Sequence, residues 1–203
     1  MSQSTEVTQH RSRAESKQVT RQALLQAGLL ELIEHGLDTP SLDAICARAG
    51  FTRGAFYVHF KDRDDFLVAV TDWVLSEILD SLVGVDGESD LEATLGRFTA
   101  FIAKRDWPVV GDFRIATHRV FESIARSEPL KQRFAEIFRL AAARIGKIVL
   151  RAQEAGLVRR DLGSVETAVL LLALAIGAMS VEDAGVHLGD SELRSGILGL
   201  LKP

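Results

Sequence analysis

An all-helical fold is predicted by three observations. Leu, Ala, Glu and Arg recur at helical spacing along most of the chain. No alternating strand pattern is present, and Pro40, Pro108, Pro129 and Pro203 each stand where a helix can begin or end. With 203 residues, 47% hydrophobic and 26% charged, the chain has the balance of a globular protein with a core of its own. It has no internal repeat and no low-complexity tract.

Residues 1–14 are polar and lack apolar periodicity, which predicts a flexible arm. A helix is expected from Glu15 to His35, with Leu25, Leu29, Leu32 and Gly36 on one face and Gly36 as its left-handed stop. After Thr39-Pro40, Ser41 is a natural N-cap for a two-turn helix whose apolar face is Leu42, Ile45 and Ala49. Thr52 caps a second short helix, Arg53 to His59. Asp62 caps a longer one carrying Phe66, Val70, Trp73, Val74, Ile78 and Leu82. Gly84, Gly87 and the acidic run Asp86 to Asp90 then break the pattern. Further helices are expected at 89–105, 112–126, 130–155, 164–182 and 190–201, punctuated by Pro and Gly. The division that follows is an arm (1–14), a helix-turn-helix domain (15–61) and a second helical domain (62–203).

Composition narrows the function. There are 24 basic and 28 acidic residues, a net charge of −4, so bulk attraction to polyanions is not expected and any basic surface is local. Residues 1–63 carry a net +1 and residues 64–203 a net −5, which would turn the first domain toward a polyanion. One cysteine, Cys46, leaves no internal disulfide framework. The opening MSQSTEVTQHRSR has no apolar core of a leader, and the apolar run from Ala168 to Met179 is short for a bilayer. A soluble, cytoplasmic protein without a membrane partner is expected.

The stretch around Ala49-Gly50-Phe51 carries the most information. Two short helices meet there, and their turn needs a left-handed residue, which Gly50 supplies. Small Cys46 suits the helix crossing, as packing rather than redox sensing, and Leu42, Ile45, Phe51 and Phe56 lock the pair. Gly54 and Ala55 would let the second helix approach a DNA groove closely. Arg53, Tyr57, His59 and Lys61 then reach phosphates or base edges. Two capped helices around a glycine also occur in helical proteins that bind no nucleic acid.

The residues from Thr20 to Leu67 resemble the N-terminal domain of the TetR family of prokaryotic transcriptional regulators. The resemblance is carried by TRQALLQAGLLELIEHG and by TPSLDAICARAGFTRGAFYVHFKDRDDFL. The Thr-Arg-Gly-Ala-Phe-Tyr stretch is similar to that of multidrug-efflux repressors in the family. The resemblance covers about a quarter of the chain and implies roles. Thr39, Ser41 and Thr52 lie where phosphate contacts are made, and Arg53, Gly54, Ala55 and Val58 face the groove. Tyr57, His59 and Lys61 meet the backbone. It further implies a dimer on a palindromic double-stranded DNA operator, released by a small organic effector. The chain departs from the pattern at three positions. Gly28 replaces the usual alanine, weakening the helix by up to about 1 kcal/mol. Phe51 replaces a smaller aliphatic, and Val58 stands where several relatives carry a bulky aromatic.

No phosphate-binding glycine loop, nucleophile elbow or zinc-protease motif occurs, so no enzyme, cofactor or metal site is expected. Asp86-x-Glu88-x-Asp90 fails as a calcium loop because Leu91 and Arg97 occupy its glycine and glutamate positions. Bulky apolar groups at Phe98, Phe101, Ile102, Trp107, Phe113, Phe121, Phe134 and Phe138, with Thr117 and His118, make a candidate effector pocket; Arg114 and Arg144 are options for a carboxylate. Helices 164–182 and 190–201 are the expected dimer interface. Ala168 to Met179 is apolar all round, and Leu193, Ile197, Leu200 and Leu201 repeat at helical spacing. Ala173, Gly177 and Ala178 permit close approach. The alternative reading is a helical ligand carrier or interaction module whose helix-turn-helix is only architectural.

Overall fold

The computed structural model describes residues 13–35, 40–84, 89–104 and 116–203. Residues 1–12 of the expected arm, Gly36, Thr39, the acidic run 86–88, Trp107, Phe113 and Arg114 lie outside the described residues, while Arg13 and Ala14, expected in the arm, are already helical. Among the described residues every regular element is a helix: α1 (Arg13–His35), α2 (Leu42–Ala49), α3 (Arg53–Tyr57), α4 (Arg63–Val83), α5 (Leu91–Lys104), α6 (Thr117–Arg126), α7 (Glu128–Glu154), α8 (Ser164–Asp183) and α9 (Asp190–Leu201).

The capping signals read from the sequence act as side-chain chemistry. Ser41 Oγ accepts from Ala44 N at 3.1 Å, Thr52 Oγ1 from Ala55 N at 3.3 Å, and Asp62 Oδ1 from Asp65 N at 2.9 Å. Each satisfies a backbone donor that the first helical turn leaves unpaired. Gly50 closes α2 at φ 73°, a left-handed conformation that costs glycine little. The α3 helix ends at Tyr57, two residues before the expected His59. Its last turn tightens, with Phe56 O accepting from both His59 N and Phe60 N. That tightening swings Phe60 back into the core, where its ring lies 5.2 Å from Phe56 and 5.0 Å from Phe66.

Two apolar cores form. The head core joins Leu24, Leu25, Leu29 and Leu32 of α1 to Ile45 and Cys46 of α2, Phe56, Phe60, and Phe66 and Val70 of α4. Its reach to Val70 carries the head past the boundary expected at 61. The body core gathers Leu79 and Val83 of α4, Leu91 and Leu95 of α5, the inner face of α7, Ala168 of α8, and Ile197 and Leu201 of α9. One uninterrupted helix, α4, therefore serves both cores. Ion pairs fasten its body half to α7: Arg133 donates to Asp72, and Arg144 Nη1 lies 2.6 Å from Asp80 Oδ1. Arg144, an expected carboxylate receptor, already pairs with this carboxylate.

Gly28 has a packing reason. A Cβ built there would stand 2.1 Å from Phe66 Cζ, inside the ring's own volume, and Phe66 is fully buried. The methyl of Gly28→Ala would improve helix propensity by up to about 1 kcal/mol, but overpacking a closed core costs about 1–3 kcal/mol. Packing outweighs propensity because the Phe66 ring touches Phe56 and Phe60 at about 5 Å on its other sides and has nowhere to move. The expected outcome is a lower thermal midpoint for Gly28→Ala and partial recovery in Gly28→Ala/Phe66→Leu, read by circular dichroism.

Candidate nucleic-acid interface and effector cavity

The polar and apolar side chains of the helix-turn-helix divide cleanly. Ile45, Cys46, Phe56 and Phe60 are buried, whereas Tyr57 and Val58 are 54% and 62% exposed. Burial also raises the Cys46 thiol pKa above its ordinary value, so it stays protonated and inert. Arg53, Gly54 and Lys61 are exposed, with Ala55 and His59 half-buried beside them. Ser41 and Thr52 stand at the starts of α2 and α3. The Thr52 oxygen accepts the Ala55 amide, which leaves the hydroxyl proton for an anionic oxygen.

Two residues absent from the sequence-based set belong to this surface. Lys17 and Arg21, one turn apart on α1, lie near enough to His59 to act on it electrostatically. Arg21 also stands over the Phe60 ring, 5.4 Å from its centroid. Burial first, then Lys17 and Arg21, hold His59 below the usual imidazole pKa. A signal existed: Lys17 and Arg21 share one face of α1, but which face meets α3 is a tertiary fact.

The depressed His59 pKa has two consequences. As pH falls below about 6.5 the unfolded chain takes up the proton first, so the stability that neutral His59 contributes is lost through its lower folded pKa. A phosphate beside His59 would raise that pKa, so duplex binding would take up a proton. DNA affinity is expected to rise between pH 7.5 and 6.0, and His59→Gln to flatten that rise, as read by anisotropy of a labelled duplex.

Among the described residues, Glu31, Glu34 and His35 bring three metal-ligand groups together. The Arg48 guanidinium lies on both carboxylates, with Nε donating to Glu31 at 2.6 Å and Nη1 to Glu34 at 3.1 Å. This is a brace between α1 and α2.

A cavity of about 390 Å³ lies where head meets body. Leu29 and Leu32 of α1 wall one side, and Leu67, Val74, Leu75 and Ile78 of α4 run along it. Val120 and Phe121 of α6, Leu130 and Phe134 of α7, and Ile176 and Met179 of α8 complete it. The hydroxyl residues Thr71, Thr117, Ser123 and Ser127 and the charged Arg63, Asp64 and Arg126 are its polar groups. Asp183 of α8 accepts from Thr117 N at 2.6 Å and pins the start of α6 over it.

Of the expected pocket residues, Thr117, Phe121 and Phe134 line this cavity. Ile102 is buried and Phe98 packs on the body core, because α5 turns its apolar face to α9, α7 and α4. Phe101 lies on the same helix, half-buried and away from the lining. His118 is exposed, and Phe138 stacks behind Phe134 at 6.2 Å without reaching the lining. Phe98, Phe101, Ile102, His118 and Phe138 stand apart from this cavity. The cavity sits nearer the head than expected.

The helices expected at a dimer interface are also divided. Ile197 and Leu201 are buried in the chain's own core, Leu193 packs against it, and Ala178 faces inward. Leu200, Val169, Leu170 and Val181 face outward, as do Ala173 and Gly177. The 20-residue α8 is long and apolar enough, by length and composition, to cross a membrane. It nevertheless packs along α7 and contributes buried Thr167 and Glu182 to the body.

Residues 24–70 match the family described as Bacterial regulatory proteins, tetR family. A stretch of 67 residues, 33% of this chain, is 40% identical to the transcriptional regulator AcrR of Shigella flexneri. The match spans 30% of AcrR, and less than half the length of other curated regulators that the chain resembles. The fold is similar to that of a TetR-family transcriptional regulator from Rhodococcus sp. The TM-score is 0.72 at 24% identity, over 90% of this chain and 96% of that one. It is also similar to SmeT in its triclosan complex, with a TM-score of 0.67 at 22% identity, over 91% and 92%. The match to the tetR family is thus confined to the head, at residues 24–70, and the fold running through the body is similar to that of TetR-family structures.

Proposed function

We propose that this protein is a cytoplasmic transcriptional regulator, a repressor, that holds a palindromic operator as a homodimer. A small apolar or amphipathic effector releases it. One observation carries the reading: the cavity has α1 of the head and α6 to α8 of the body as opposite walls, with α4 running through both. A molecule filling that space would push on the joint that sets the head's angle. It shifts the equilibrium only in so far as it binds the two head angles unequally.

The lining supports an uncharged or cationic organic effector, because most of its residues are aliphatic or aromatic and few are charged. SmeT, whose fold is similar, is known with triclosan, a compound of that class. Two recognition helices must sit one helical turn of DNA apart, about 34–36 Å. The outward Val169, Leu170, Ala173, Gly177 and Val181 of α8, with Leu200 of α9, support a two-fold interface. An architectural helix-turn-helix would bury Tyr57 and Val58; here both are more than half exposed. The reading includes no catalytic step.

The test is selection of duplexes from a randomised library by the full chain, with sedimentation of the free protein at micromolar concentration. A palindromic consensus and a dimer are expected. Failure to enrich any sequence, or a monomer, would overturn the reading.

A further inference from the structure

Arg53 is the first residue of α3, and that helix has no acidic residue in its own first turn. A cation at a helix N-terminus stands against the helix dipole. The compensating acid comes from α2. Arg53 Nε lies 2.5 Å from Asp43 Oδ1, and Arg53 Nη2 donates to Asp43 Oδ2 at 2.7 Å. The two side chains are 58% and 68% exposed, so the pair adds little to stability. It also sets a carboxylate on the surface that would face phosphates, where a negative charge weakens every contact to nucleic acid. An arrangement with little gain in folding and a cost in bulk affinity calls for a gain elsewhere.

The geometry supplies one. The pair engages one edge of the guanidinium, Nε and Nη2. The Nη1 end, with the second Nη2 proton, is the fork that matches O6 and N7 of guanine. We propose that Asp43 is a positioning residue for sequence readout. It fixes the Arg53 guanidinium by one edge so that the fork meets a guanine, and its charge keeps Arg53 from collapsing onto a phosphate. This rests on the reading of the head as a DNA-binding surface with Arg53 at a base edge. Asp43 then raises discrimination while lowering affinity for DNA in general.

The experiment uses the full chain and duplexes enriched from a randomised library by the unaltered protein. Wild type, Asp43→Ala, Asp43→Asn, Arg53→Ala and the Asp43→Ala/Arg53→Ala double variant are compared on the consensus duplex, on single-base replacements of it and on a scrambled duplex. Arg53→Ala is expected to lose preference for one guanine per half-site, roughly tenfold for one bidentate contact. Asp43→Ala is expected to lose most of the preference at that same guanine while binding the scrambled duplex more tightly. Asp43→Asn should fall between, and the double variant should match Arg53→Ala at that base. Equal tightening on all duplexes by Asp43→Ala, with the guanine preference intact, would overturn the proposal and leave DNA binding standing. An Arg53→Ala that keeps every base preference would overturn it too. If wild type enriches no sequence, the proposal falls with the reading beneath it. Thermal unfolding of each variant accompanies the binding data. Preference for a single base is a readout that general loosening of the head would not produce.

Discussion

Phe56→Ala is expected to destabilise the head by about 3–5 kcal/mol, the range for removing a buried aromatic side chain, and to abolish duplex binding. Phe56 is fully buried, and its ring is met by Tyr57, Phe60 and Phe66 at 5.2–5.5 Å. Those contacts fix the tight turn that ends α3, and hence the exit of Tyr57, Val58 and His59 toward solvent. A typical domain has only about 5–15 kcal/mol of stability in total, so the head would be the first part to open. The body core shares no buried residue with the Phe56 cluster. Urea unfolding followed by circular dichroism should show an early transition absent from the wild type. A variant with unchanged midpoint and unchanged duplex affinity would contradict the packing account.

The second large effect separates two kinds of contact on one surface. Tyr57→Phe with Lys61→Ala should weaken binding to every duplex and lower the salt slope, by about 0.9 for each phosphate contact to Lys61 that is lost. Arg53→Ala should leave the scrambled duplex little affected while costing about 1–3 kcal/mol on the consensus, the discrimination of a bidentate pair with guanine. Tyr57 and Lys61 are exposed and follow one another around the end of α3, as backbone contacts at the helix margin require. Arg53 leads the helix. Anisotropy titrations across a series of salt concentrations read both effects. If the double variant changed sequence preference and Arg53→Ala changed the salt slope, the roles assigned to the two ends of α3 would be exchanged.

Local chemistry was legible in the chain; long-range placement was not. Ser41, Thr52, Asp62 and Gly50 act through neighbours within a few residues, so their spacing alone specifies the caps and the turn. Phe56 could be assigned inward because the two short helices need apolar side chains to lock them together. The cavity follows another logic. It lies where apolar side chains from five helices fail to meet, and gathering bulky apolar residues along the sequence pointed also to Phe98 and Ile102, which pack inside the body. Leu193, Ile197 and Leu201 repeat with Leu200 at helical spacing, yet only the packing of α9 on α5 decides that the first three face the chain's own core and Leu200 faces out. Gly28 is a weakness by helix propensity alone, but the Phe66 ring fills the space of its missing side chain. The nearness of Lys17 and Arg21 to His59, and of Asp43 to Arg53, depends on helices that are separated along the chain by turns.

Occupation of the head–body cavity and operator binding are expected to oppose each other. Coupling of this kind is reciprocal: whatever factor the effector takes from DNA affinity, DNA takes from effector affinity. The direct measurement is titration of N-phenyl-1-naphthylamine, an uncharged apolar fluorophore, into the full chain with and without saturating consensus duplex, with Phe121→Ala as control. The expected result is tighter probe binding without DNA, by the same factor by which the probe weakens the duplex. Phe121→Ala should weaken the probe and spare the duplex, since Phe121 lines the cavity from α6, outside the head. Probe binding that is equally tight with and without the duplex, and that Phe121→Ala weakens, would contradict the account. It would place a ligand in the cavity and no coupling between the cavity and the DNA.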